Sequence, residues 1–314
     1  MSRAGIRFVP LPVRRSAVGT AGIARVMPSV VRGIAVAARL IAAERPDAVV
    51  GMGSYASFAV VEAAVVLRVP TLIHEQNAVA GRANRILGTQ VQSVAMTFPA
   101  AARWFPPGRS VVTGLPVRDG IGQADRLSAR RELGLSVEAP VLLVLGGSQG
   151  ARSLNECVSR ALDRWLSAGV QVLHICGKAH YDAAAAGARR GYVVLPYTER
   201  MDLVYAAADV VLCRAGAGTL SELAVCGLPS VLVPYPFAAD DHQAANARIF
   251  ADNGAAEVLS DWAVQQGEAE HVILRMLSKP KQLSSMAEQA RKLARPRAAE
   301  AICELVGALA VGRC

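Results

Sequence analysis

Eight short apolar runs recur along the chain, at residues 48–50, 71–73, 91–95, 141–145, 170–175, 192–195, 210–213 and 230–233, and helix-length segments follow most of them. Apart from the polar residues inside 91–95 and 170–175, these runs do not alternate apolar with polar positions, as strands with one solvated face do. Continuous apolar strands joined by helices are expected in parallel sheets covered on both faces. Pro46, Pro70, Pro140, Gly191 and Pro229 stand where strands should begin or end. Residues 114–139 carry no such run, and there "GLPVRDG" leads into a charged, helix-like "ADRLSARRELGL". That gap divides the runs into two series, and 314 residues suffice for two domains that each bury a core. The expected fold is α/β with two parallel-sheet domains, divided between residues 117 and 118. Ligands are expected at the carboxyl ends of the strands.

The segment "AGIARVMPSVVRGIAVAARLIAAERP" at 21–46 reads as a helix on which Arg25, Arg32 and Arg39 share one stripe among Val, Met and Ile. Two readings stay open: a core-facing helix with snorkelling arginines, or a helix lying on a membrane with its arginines at anionic headgroups. The charge distribution bears on that choice. The formal charge is +9, yet residues 1–118 hold fourteen Arg, no Lys and four acids, while the remainder holds twenty basic and twenty-one acidic residues. The positive excess therefore lies entirely in the front part, which suits an anionic surface. Aromatics are only 5% of the chain and do not interleave with the basic residues, so nucleic acid is not an expected partner. No apolar stretch reaches the ~18–20 residues needed to span a bilayer. The opening "MSRAGIRFVP" lacks a signal-peptide pattern, so a cytoplasmic location is expected. Six cysteines without a C-x-x-C pair and five histidines without ligand spacing predict reduced thiols and no metal.

Candidate chemistry concentrates after the runs. "LGGSQGARSLNE" at 145–156 has neither dinucleotide-fingerprint nor P-loop spacing, but a strand, glycines, a hydroxyl and a helix start together suit an anion, with Ser148 donating a hydrogen bond. In "CRAGAGTLSELAVCGLPSVLVPYPFAADDHQAANA" at 213–247, Arg214 ends a strand, small residues follow, and Thr219 begins a helix carrying Ser221 and Glu222. A carboxylate so placed can accept hydrogen bonds from two ribose hydroxyls; the plain alternative is a favourable first-turn acid. Asp240, Asp241, His242 and Gln243 suit the reading of sugar hydroxyls. In "PTLIHEQNAVAGRANRIL" at 70–87, His74, Glu75, Gln76 and Asn77 are expected just past a strand, with His74 also readable as a structural hydrogen-bonder. Arg118, in "GLPVR", is placed to reach a phosphate.

Taken together, "HEQN", "GLPVR", "GGSQGARSLN", "CRAGAGTLSE" with "GLPSVLVP", and "DDHQAANA" closely resemble the MurG family of bacterial glycosyltransferases, in order along nearly the whole chain. The resemblance implies a GT-B architecture, two Rossmann-like domains with parallel sheets facing a cleft. Residues 1–117, completed by a C-terminal helix at 297–314, would serve acceptor and membrane, and 118–296 would hold the donor. The implied reaction is inverting transfer of N-acetylglucosamine from UDP-GlcNAc to lipid I, undecaprenyl-diphospho-N-acetylmuramoyl-pentapeptide, forming lipid II for peptidoglycan. No cofactor or metal is implied, and the location is peripheral, on the inner face of the cell membrane. By motif, Asn77 would contact the donor sugar, Arg118 the nucleotide region, Ser148 the diphosphate and Thr198 the uracil. Ala217, Gly218, Thr219, Leu220 and Ser221 would form the helix start beneath the phosphates, Glu222 would hold the ribose, and Gln243 would read the GlcNAc hydroxyls.

The chain departs from the family at its front. The family opens with a strand and a glycine-rich loop ending in histidine, a candidate general base, whereas "AGIRFVPLPVRR" resembles a point past the family's second strand. The first domain is therefore expected to be N-terminally truncated by on the order of 30 residues or more. The catalytic base is left unassigned, with His74 as a substitute. Three alternatives stay open: an upstream start of translation, a diverged paralogue using another acceptor, and a non-catalytic donor-binding scaffold. The 314-residue chain is expected to bind UDP-GlcNAc with weak or absent transfer.

Overall fold

A computed structural model describes residues 5–13, 20–147 and 149–312, without the side chains of 20–26 and of Tyr55. The chain forms two compact units, Met1–Thr113 with Ala299–Cys314, and Gly114–Ala298. The division falls four residues before the one read from the sequence.

In the first unit the helices α1 (Thr20–Glu44), α2 (Ser54–Val66) and α3 (Arg82–Leu87) alternate with strands β1 (Val49–Gly51), β2 (Thr71–Glu75), β3 (Ser93–Met96) and β4 (Ser110–Val112). The strands form one parallel sheet in the order β1-β2-β3-β4. Successive residues of a strand point to opposite faces. Ile73, Val94 and Met96 accordingly join Ala37 and Ile41 of α1 and Val61 and Ala64 of α2 in one core cluster. Leu72 and Ala95, of the other parity, are buried elsewhere. Pro28 lies inside α1.

The second unit runs through α4 (Arg126–Glu132), β5 (Val141–Leu145), α5 (Arg152–Ser167), β6 (Gln171–Ile175), α6 (Tyr181–Ala185), β7 (Tyr192–Leu195), α7 (Met201–Ala207) and β8 (Val210–Cys213). It continues with α8 (Ala217–Cys226), β9 (Ser230–Leu232), α9 (His242–Asp252), β10 (Ala256–Val258), α10 (Asp261–Gln265), α11 (Glu268–Leu277) and α12 (Pro280–Leu293). All six strands are parallel, ordered β10-β9-β8-β5-β6-β7. Helix α5 buries Leu154, Val158, Ala161, Leu162 and Trp165, one stripe at helical spacing. That stripe packs with Leu142, Val144, Leu212 and Val231 of the sheet and Ile273 and Met276 of α11. Leu143 and Val211, facing the opposite way, are equally buried. The last helix, α13 (Ala298–Val311), belongs to the first unit for nearly its whole length and lays Ile302, Leu305 and Leu309 against Leu72 and Ala95.

Strands β4 and β10 lie outside the eight sequence runs. Each has three residues, sits at a sheet edge and is only partly buried, so neither needs a continuous apolar run.

One buried cation ties α4 to the sheet. Arg130 donates through Nε to the Ala207 carbonyl and through Nη1 to the Val137 and Ala139 carbonyls, and it pairs with Asp209. Asp209 also accepts the Val141 amide at 2.7 Å and pairs with the half-exposed Arg126. Arg130→Met would strand three carbonyls, and a loss of about 3–5 kcal/mol in urea unfolding is expected. Arg126→Met, at the wet end of the same carboxylate, should cost about 1 kcal/mol or less.

Candidate functional site

In the second sheet β5 is central: β6 and β7 extend to one side, β8, β9 and β10 to the other. This is a topological switch point, where connections leave in opposite directions and a crevice opens at the carboxyl ends. The loops after β5 and β8 emerge there, and α5 and α8 begin at Arg152 and Ala217. Their N-caps, Ala151 and Gly216, supply no side-chain hydrogen bond. The first-turn N–H groups thus remain available to an anion, which the helix dipoles favour.

The loop after β5 is locked to the one after β6. Gly150 has φ +75°, and a Cβ there would stand 2.1 Å from the Cys176 carbonyl oxygen. Gly177 has φ +87°, and its Cβ would stand 2.6 Å from the Gln149 carbonyl oxygen. Neither position admits a side chain. Ser148, expected to hold the diphosphate, lies outside the described residues.

These loops border a cavity of about 990 Å³, lined among others by Gly147, Arg214, Thr219, Tyr235, Phe237 and Gln243. Arg214 forms its organising contact. Its Nη1 pairs with Asp261 at 2.6 Å and donates to the Val233 and Pro234 carbonyls, and its Nη2 donates to Ser153 Oγ at 2.9 Å. Ser153 Oγ in turn donates to Asp261 at 2.7 Å. One guanidinium thereby joins the ends of β8 and β9 to the starts of α5 and α10. Gln243 Oε1 accepts the Tyr235 amide at 2.9 Å, closing the loop between β9 and α9. Phe237 on that loop is 82% exposed and packs edge-on against Tyr235. Sequence reasoning missed Tyr235, Phe237 and Asp261; two aromatics in "PYPF" within an aromatic-poor chain were the available signal.

A second group gathers around Glu222. Helix α8 starts at Ala217, two residues before the expected start at Thr219, so Glu222 lies in the second turn and the first-turn alternative falls away. Tyr205 Oη donates to Glu222 Oε2 at 2.7 Å. Burial raises the Glu222 carboxyl above its ordinary value, opposed by the Tyr205 hydrogen bond and the charge of Arg118. Arg118 is exposed and donates to the Glu199 carbonyl at 3.4 Å, while Thr198 Oγ1 accepts the Arg200 amide at 2.9 Å. Glu222, Arg118 and the Thr198–Glu199 turn therefore share one region. Gly218 is exposed and Thr219 and Ser221 are half-buried, but the side chains of Ala217 and Leu220 are buried, so these two offer a ligand only backbone.

In the first unit β2 extends through His74 and Glu75, which were expected to follow the strand. His74 is fully buried within the strand, which favours its reading as a structural hydrogen-bonder. The Glu75 carboxylate is buried too, and it accepts the amides of Asn77 (2.9 Å) and Gly81 (3.0 Å) and Asn84 Nδ2 (2.8 Å). It shapes the loop that presents half-buried Asn77 at the carboxyl edge of the sheet.

Two parallel α/β units, with anion-suited helix starts at a switch point of the second, are the constituents of a GT-B glycosyltransferase. Residues 141–302 match the glycosyltransferase family 28 C-terminal domain and residues 1–96 the glycosyltransferase family 28 N-terminal domain. The chain belongs to glycosyltransferase family 28. It is 40% identical over 290 residues to the UDP-N-acetylglucosamine--N-acetylmuramyl-(pentapeptide) pyrophosphoryl-undecaprenol N-acetylglucosamine transferase of Desulforudis audaxviator, covering 89% of this chain and 78% of that one. The protein of the same name from Nitratidesulfovibrio vulgaris strain Miyazaki F is 40% identical over 330 residues, covering 99% and 86%. The crystal structure of Acinetobacter baumannii MurG superposes with a TM-score of 0.75 at 31% identity, over 96% of this chain and 85% of that one.

Under the β5 loop, His174 of β6 is 1% exposed, and burial holds its pKa down to about 4. The unfolded imidazole titrates near 6.5. Above that pH both states are neutral and the folded state keeps its full stability; as pH falls from about 6.5 to about 4, only the unfolded chain takes up the proton. This histidine should therefore remove roughly 3 kcal/mol of stability across that window. Urea midpoints of wild type and His174→Gln against pH should converge toward acid, and parallel curves would exclude the effect.

Proposed function

We propose that the chain transfers N-acetylglucosamine from UDP-GlcNAc to lipid I, forming lipid II with inversion at the anomeric carbon. The observation that carries this reading is the convergence of the α5 and α8 N-termini at the β5/β8 switch point. The names of relatives at 40% identity supply the substrates. The acceptor's C4 hydroxyl attacks the sugar's anomeric carbon as the bond to the diphosphate breaks, and UDP departs with the electron pair. Its growing negative charge meets helix N–H groups, fixed before the reaction begins, and the exposed Arg118. Glu222 is assigned to the ribose hydroxyls, Thr198 to the uracil, and Ser148 and residues 217–221 to the diphosphate. Gln243 and Asn77 are assigned to the sugar. The acceptor proton goes to a base outside this assignment, His74 being read as structural.

We assign α1 and the basic first unit to an anionic membrane surface. No helix among the described residues is long and apolar enough to cross a membrane. Helix α1 exposes Met27 and Val31 beside Arg32 and Arg39, which suits a surface-lying role.

Calorimetry with UDP and a radiolabelled transfer assay on lipid I test the two halves of the reading. The full chain should bind UDP, and no binding at millimolar ligand in a folded sample would sink it. Glu222→Ala should weaken UDP by roughly 1–3 kcal/mol. It should also abolish any preference for UDP over 2′-deoxy-UDP, whereas a retained preference would place the ribose elsewhere.

A further inference from the structure

A line of hydrogen bonds runs beneath the loop after β5. Tyr192 Oη lies 2.9 Å from His174 Nδ1, His174 Nε2 lies 2.9 Å from Asn155 Oδ1, and Asn155 Nδ2 lies 3.0 Å from the Cys176 carbonyl oxygen. Its direction follows from the Cys176 end. A carbonyl only accepts, so Asn155 must present its amide nitrogen there. Asn155 then turns its own oxygen toward His174, and that oxygen also only accepts, so the imidazole proton sits on Nε2. Burial keeps the ring neutral at pH 7, which leaves Nδ1 as an acceptor and makes the Tyr192 hydroxyl its donor.

We infer that Tyr192, His174 and Asn155 form a one-way hydrogen-bond relay that positions the phosphate-suited loop after β5 by holding the Cys176 carbonyl against Gly150. The last link is steric: the Cys176 carbonyl and Gly177 leave no room for a Cβ at Gly150, and Gly177 is closed in the same way against Gln149. Displacing the Cys176 carbonyl therefore displaces residues 149 and 150. His174 acts through Asn155 and touches no ligand in this scheme; it is a positioning residue. A buried polar line of this kind is tolerated only when every member is paired, and here each is. The inference rests on the donor-site reading of that loop.

Two substitutions in the 314-residue chain separate the halves of the imidazole. His174→Gln places an N–H near the Nε2 position, facing Asn155, whereas His174→Asn sets its shorter amide near the Nδ1 position, where its oxygen can accept from Tyr192, and does not reach Asn155. The relay expects Gln to hold UDP affinity within about threefold of wild type and Asn to lose about tenfold or more, by calorimetry on samples of matched thermal midpoint. Nitrogen-15 NMR of wild type should show the His174 proton on Nε2 at pH 7. If His174→Asn does not fold, Asn155→Asp serves instead, because it keeps the bond from His174 and sets a second acceptor against the Cys176 carbonyl; a loss of about tenfold is again expected. Equal losses in Gln and Asn, undiminished affinity in Asn155→Asp, or a proton on Nδ1 would each overturn the relay. Failure of the wild-type chain to bind UDP would overturn the donor-site reading itself, and with it the role given to the loop, whatever tautomer is found.

Discussion

Parallel pairing of β5 with β8, from Leu142 against Val210 to Leu145 against Cys213, is the constraint on which the donor-suited half depends. Parallel neighbours end on the same edge, so their following loops must emerge together and their helices must start together. Antiparallel pairing would send one of the two helix dipoles to the far side of the sheet. The register of four apolar pairs therefore fixes where positive potential accumulates, before any charged side chain is considered. The side chains refine that field. Arg214 is largely spent on Asp261, Ser153 and two carbonyls, so it braces the crevice more than it charges it.

The second unit also separates its cationic and anionic tasks. Buried ion pairs such as Arg130 with Asp209 lie at the amino-terminal end of β5, where Asp209 meets the Val141 amide. Glu222 stands elsewhere, half-buried on α8 and held by Tyr205, with Arg118 acting on it electrostatically. A carboxylate in that setting is raised by desolvation yet kept from rising further by its two partners. It stays a hydrogen-bond acceptor without needing a permanent salt bridge. A fixed cation there would compete with neutral hydroxyl groups for the same oxygen lone pairs.

Legibility in the sequence followed length and contact range. Runs of four or five apolar residues, such as 141–145 and 210–213, announced buried strands correctly. The edge strands Ser110–Val112 and Ala256–Val258 did not, because they carry too little apolar surface to stand out, whereas Val49–Gly51, equally short and at an edge, overlaps the run at 48–50. Polar residues inside a strand misled in the other direction. His74 and Glu75 were expected in a loop, yet Glu75 is accommodated in the core by N–H groups that become neighbours only after the chain turns at Asn77 and Gly81. The glycine loops were readable from spacing, since a strand, small residues and a helix start are local facts. Asp261 as the partner of Arg214, and Asn155 as the partner of His174, are contacts made by folding, and no local pattern marks them.

The interlock of Gly150 with Gly177 has a thermodynamic consequence for whatever anion enters the crevice. Where the two loops exclude a methyl group from each other, at Gly150 and Gly177, each limits the backbone of the other, so the positions of residues 149–150 and 176–177 are set when the protein folds and not when the ligand arrives. Ordering a residue costs about 1–2 kcal/mol of conformational entropy. That cost is charged to the stability of the second unit, and the binding step is relieved of it.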